Sequence, residues 1–202
     1  MALVTVAEVK TFLRETSHTY DTLIDYYIPI VQDDICAYCN TYFTDPAIFV
    51  EHSSGLAFTR GNTATGTTQA DYVTDDNQDF STAGFAVGMD IAVQGGSNWG
   101  LYTLAGQTSA VLTMTTTGEF VTQDQDQAYN TVGTIRISRV VWPSALKPIA
   151  AKMIWYQIDN NKPNGAASER IDDYSVTYVN GRAYPAQLLS MLDANYRSVR
   201  TH

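Results

Sequence analysis

Residues 89–114 read MDIAVQGGSNWGLYTLAGQTSAVLTM. Met89, Ile91 and Val93 alternate with Asp90, Ala92 and Gln94. Ala110, Leu112 and Met114 alternate with Val111 and Thr113, and Tyr102 and Leu104 flank Thr103. Gly95-Gly96 and Trp99-Gly100 punctuate the runs. A strand turns successive side chains to opposite faces, so period-two runs broken by glycine predict antiparallel strands. The pattern extends outward on both sides. Ile135 and Ile137 alternate with Arg136 and Ser138, and residues 48–140 are rich in Thr, Gly, Asn, Gln and Asp but contain no lysine. This region predicts an inserted antiparallel β domain, a small barrel or sandwich. Within it, Gly55–Gln69 is polar and Gly/Thr-rich and reads as a mobile loop.

Helical texture flanks that region. Thr5 followed by Glu8 predicts a capping box, in which each side chain satisfies a backbone N–H at a helix start. Val6, Val9, Phe12 and Leu13 then share a face. A second helix is predicted from about Thr19 to Tyr42, with apolar residues three and four apart from Tyr20 to Tyr42. Pro29 lies inside it and removes a backbone donor, which predicts a kink or a split. Asp45-Pro46 marks the exit. After Trp142-Pro143, a third helix carries Leu146, Ile149, Ala150, Met153, Ile154 and Ile158, and Asn160 to Gly165 stops it. Tyr174–Tyr178 alternates as a strand, and Asn180-Gly181 forms a tight-turn pair. Pro185 opens a last helix with Leu188, Leu189, Leu192 and Tyr196 on one face. The predicted fold class is α+β. A small helical bundle built from both termini, residues 1–47 and 141–202, forms the core, and residues 48–140 are inserted in it.

Charge divides along the same lines. The chain of 202 residues carries a formal net charge of −9. Residues 1–47 hold two basic and seven acidic residues, residues 48–140 three and nine, and residues 141–202 seven and five. An acidic body repels nucleic acid and acidic membranes, so non-specific binding to either is not expected. No apolar run approaches the ~20 residues of a membrane-spanning helix. The start lacks the pattern of a signal peptide, and the only cysteines are Cys36 and Cys39, so a cytoplasmic product is expected.

Chemistry is sparse. The Cys36-x-x-Cys39 pair falls late in a helix with no strand before it, which points to interior thiols rather than a redox pair. His18, His52 and His202 sit at no ligand spacing. Asp75, Asn77 and Asp79 copy the first half of a calcium loop, but Phe80 and Ala86 stand where Gly and Glu are needed, so a solvated acidic turn is expected. No nucleophile elbow or phosphate loop occurs. No catalytic residue, metal ligand or cofactor is assigned. Thirteen tyrosines and three tryptophans suit interfaces, an aromatic core or sugar binding equally.

Three stretches nevertheless resemble one family, the head–tail connector (adaptor or head-completion) proteins of tailed bacteriophages. They are Val4 to Arg14, Leu23 to Phe43, and Ser168 to Tyr178 followed by Tyr184-Pro185-Ala186-Gln187-Leu188-Leu189. The run Asp79 to Ile91 resembles a small β module of phage structural proteins. The resemblance implies a structural protein of the virion neck, made in the host cytoplasm and not an enzyme. It implies a ring, usually of twelve copies, between the portal protein and a downstream tail protein, with DNA passing through without specific binding. It also implies portal binding by the C-terminal segment, here Tyr196, Arg197, Val199, Arg200 and His202. Asp21, Asp25, Asp33 and Asp34 on the second helix are the expected channel lining, although they equally fit the solvated side of an amphipathic helix. The alternative expectation is a binding module whose β domain recognises a glycan or another virion or host surface protein.

Overall fold

A computed structural model describes residues 2–64, 67–123, 134–160, 168–171, 174–177, 184–193 and 196. The chain divides into two compact units, Tyr42–Val141 and the segments on either side of it.

The expected architecture, a helical bundle with an inserted β domain, is corrected by the structure. The largest element is one seven-stranded antiparallel sheet, and among the described residues the α-helices are four. The sheet contains β1 (Thr44–His52), β2 (Leu56–Thr59), β5 (Tyr72–Asp75), β6 (Asp90–Gln94), β7 (Gly100–Gln107), β8 (Val111–Met114) and β9 (Ile135–Val140). Its strand order is β1-β9-β6-β7-β8-β5-β2. A separate hairpin pairs β3 (Asn62–Ala64) with β4 (Thr67–Gln69). Two signals misled the reading. Threonine and glycine in 55–69 suggested a mobile loop, yet Leu56 and Phe58 alternate into the core and the stretch forms three strands. Asp45-Pro46 suggested a helix exit, yet strand β1 already starts at Thr44. Pro46 is accommodated because β1 is an edge strand, and its register on β9 jumps between Thr44 and Phe49.

The sheet must curl. Strands β1 and β2 are its opposite edges, but only Ser53, Ser54 and Gly55 lie between them. Seven flat strands would hold the edges about 29 Å apart. The chain from His52 to Leu56 reaches about 14 Å at most. Bending brings the edges together and encloses one apolar core. Val50, Leu56, Phe58, Val73, Ile91, Val93, Leu104, Leu112, Met114, Ile135 and Ile137, drawn from all seven strands, belong to a single buried cluster with Phe80, Phe85 and Phe120. Strand β6 is buried on both faces, so Ala92 and Asp90 are interior too, unlike the half-solvated strand its alternation predicts.

The other unit holds α1 (Val6–Leu13), α2 (Asp21–Cys39), α3 (Lys147–Asn160) and α4 (Ala186–Asp193). The capping box at Thr5 forms: Glu8 N–H donates to Thr5 Oγ1 at 3.2 Å and Thr5 N–H to the Glu8 carboxylate at 2.9 Å. Pro29 does not split α2, which runs from Asp21 to Cys39; the proline sits on the exposed side. Helix α3 is central and packs against the other three. Ile149, Ala150, Ala151, Met153, Ile154 and Ile158 are buried and cover more than half its circumference. Its neighbours supply Val9, Ile24, Ile28, Val31, Ile35 and Leu192. Strand β11 (Tyr174–Thr177) pairs with β10 (Ser168–Ile171), a partner the sequence reading did not foresee. The predicted Asn180-Gly181 turn lies outside the described residues.

Candidate functional site

The sequence named acids on α2 and a C-terminal segment. Of the acids, Asp25 and Asp33 are exposed, and Asp21 and Asp34 are half-buried. Asp21 is engaged locally, accepting from Lys10 Nζ at 2.8 Å and facing His18 Nδ1 at 2.7 Å, and these contacts hold its carboxyl below the ordinary range. Asp34 accepts the Tyr184 hydroxyl at 2.6 Å. At 100° per residue, Asp21 and Asp25 lie roughly 40° apart, but Asp34 lies roughly 180° from Asp25, on the opposite side of the helix. The four therefore do not form one acidic face. In the C-terminal segment, Tyr196 is half-buried and its N–H donates to Leu192 O at 2.9 Å. Arg197, Val199, Arg200 and His202 lie outside the described residues.

Cys36 and Cys39 are buried on α2 and are not joined by a disulfide. Burial, with Asp33 and Cys39 nearby, pushes the Cys36 thiol up to about 12. A thiol that resists ionising is a poor nucleophile and a poor metal ligand.

The sheet unit brings together residues that the sequence reading kept apart. On β1, Ile48, Val50 and His52 share the core-facing side, so the histidine enters in register with core residues. On β5, Val73 and Asp75 do the same. Because β1 and the β2–β5 pair meet where the sheet closes, His52 ends beside Asp75 and Asp79. Its Nε2 stands 3.5 Å from Oδ2 of both. Donor atoms of the three residues all lie within 4.8 Å of one another. The His52 side chain is 14% exposed, that of Asp75 0% and that of Asp79 47%. The expected solvated acidic turn is thus corrected at Asp75. That carboxylate accepts the N–H of Asn77 at 2.8 Å and of Asp79 at 3.1 Å, which fixes its orientation. The Asn77 side-chain amide meets His52 Nδ1 at 3.2 Å. His52 Nε2 is buried and makes no hydrogen bond. A groove lined by Phe49, Val50, Glu51, Thr82 and Ala83 leads to His52 and Asp79. The available sequence signals were the Asp-x-Asn-x-Asp turn and a histidine continuing a core-facing alternation. What joins them is the curl, which periodicity does not report.

Two further polar nodes hold loops of this unit. Asp71 is buried and accepts from Gly61 N–H at 2.7 Å, Gly118 N–H at 2.9 Å, Glu119 N–H at 3.0 Å and Thr116 Oγ1 at 3.0 Å. Burial favours its neutral form, but the donors outweigh burial and hold the carboxyl below its ordinary range. Gly61 touches backbone closely: a Cβ there would lie 2.2 Å from Gln69 O. Asn98, also buried, donates from Nδ2 to Val121 O and to Gln123 Oε1, each at 2.9 Å, and accepts Val121 N–H at 2.7 Å. These are structural anchors, fully engaged with their own loops.

No protein-family model matches the chain, and no curated protein sequence matches it.

Proposed function

We propose that the protein is a structural subunit of a phage neck, a head–tail connector that closes into a ring on the portal protein and continues the DNA channel towards the tail. The observation that carries the reading is the outward side of α2. Leu23 and Tyr26 are exposed there at 44% and 62%, and Asp33 shares that side while exposed Asp25 flanks it. Apolar area of this kind suits contact between copies, which costs less water-exposed surface once buried. Acidic residues suit a channel that must let DNA slide, since cations would grip the phosphates. The ring works by shape and subunit contact and assigns no catalytic residue. The basic C-terminal segment, Tyr196 to His202, docks the subunit on the portal.

Deleting residues 196–202 should leave a folded protein that no longer joins portal-containing heads; sedimentation of mixed components reads this directly. Unchanged joining removes the docking assignment. Imaging of the full chain with portal rings should show a closed annulus, and only scattered monomers would defeat the ring itself.

A second reading rests on Trp99, which is 61% exposed on the sheet unit with the Tyr42 ring 6.3 Å away. An exposed indole beside a tyrosine offers a stacking platform for a sugar. A glycan array probed with the full chain and with Trp99→Ala separates the two readings.

A further inference from the structure

We infer that His52, Asp75 and Asp79 bind a zinc-class divalent metal ion that staples the two meeting edges of the curled sheet. One imidazole and two carboxylates converge without bonding each other. At 3.5 Å, Nε2 is too far from either oxygen for a good hydrogen bond. Buried polar atoms are normally satisfied, and this one is not. A cation between the three donors would sit roughly 2–2.4 Å from each, the range of metal–nitrogen and metal–oxygen bonds.

The surroundings fit a ligand set. Asp75 is pinned by two backbone N–H groups, and the amide of Asn77 orients the imidazole from its far side. It is the amide nitrogen of Asn77 that faces Nδ1, so an ion on Nε2 requires this amide to turn its oxygen to the ring and accept the Nδ1 proton, which leaves the Nε2 lone pair for the ion. The groove along Phe49 and Thr82 gives entry and room for water as remaining ligands. The nitrogen donor selects a transition-metal ion, since calcium and magnesium prefer all-oxygen shells. The location assigns the role. Among the described residues, strand β1 pairs with β9, and β2 pairs with β5 and bridges Gln123 through Phe58, so no ladder joins β1 to β2 directly. An ion held by β1, by the end of β5 and by the following turn ties them. This inference stands independently of the connector reading.

The test uses the full chain stripped with a chelator, then titrated with zinc while thermal unfolding and heat of binding are followed. One ion per chain should bind, and the midpoint should rise by about 5 °C or more at a hundredfold excess over Kd. Asp79→Asn should abolish both effects, and because Asp79 is half exposed this variant folds without the metal. His52→Gln should do the same. Zinc binding that persists in Asp79→Asn places the ion elsewhere and overturns the proposal. So does the absence of any shift in the wild type, and so does a shift produced by calcium but not by zinc.

Discussion

The two units of this chain use carboxylates in opposite ways. In the sheet unit, Asp71 and Asp75 are interior and bind backbone N–H groups of loops. In the helical unit, Glu8 and Asp21 stay near water and meet cations, Lys147 and Lys10. The difference follows from backbone accounting. Helices satisfy their own interior N–H groups, so their acids are left to caps and surface pairs. Long loops of a curled sheet have donors with no ladder, and a buried carboxylate with several acceptor positions collects them. Interior acids should therefore matter far more than surface ones.

Asp71→Ala is the strongest way to break that contrast. It leaves three backbone donors and a hydroxyl without their acceptor, and a loss of about 3–5 kcal/mol is expected in urea unfolding. A loss under about 1 kcal/mol would mean that water replaces the carboxylate at no cost. Gly61→Ala attacks the same node from the loop side. The added methyl meets Gln69 O, and about 3 kcal/mol should be lost as the hairpin shifts. In the helical unit, Ile154→Ala removes a fully buried side chain from central α3, with an expected cost of about 2–4 kcal/mol. That figure would show the helical unit resting on apolar packing where the sheet unit adds polar anchors.

Smaller effects sharpen the comparison. Glu8→Gln should cost less than about 1 kcal/mol, because the Lys147 pair is partly exposed. The pH dependence has the same sign at both sites. Lys147 and the Thr5 N–H depress the Glu8 carboxyl, and backbone donors depress that of Asp71. Each contribution is therefore complete above the unfolded value near 4 and is lost as pH falls through the lowered folded value. Subtracting the acid unfolding profiles of Glu8→Gln and Asp71→Asn from the wild type should show the larger loss for Asp71. Least disruptive is alkylation. Native Cys36 should stay unmodified by iodoacetamide at pH 8 and react only after denaturation, as mass spectrometry would record.

The residues that could be read in advance share a local cause. Thr5 and Glu8 interact across one turn, and Ile91, Val93, Leu112, Met114, Ile135 and Ile137 declare themselves by alternation over a few positions. What escaped depends on distance. Strands β2 to β4 are short and threonine-rich, and only pairing with β5, or with each other, makes them strands. The predominance of the sheet was hidden for the same reason, since no local window reveals that seven short segments enclose a common core. His52 and Asp75 are 23 positions apart, and nothing between them signals that the edges of the sheet meet there. No local pattern marks Asp71, on which four donors from distant loops converge.

The short link Ser53-Ser54-Gly55 has one more effect. An open sheet exposes two unpaired rims, each able to template another chain and start a fibril. Here the rims face one another, one interrupted at Pro46 and the other occupied where Phe58 and Gln123 exchange backbone hydrogen bonds at 2.8 Å. Three residues between strands thereby deny aggregation the places where it would otherwise begin.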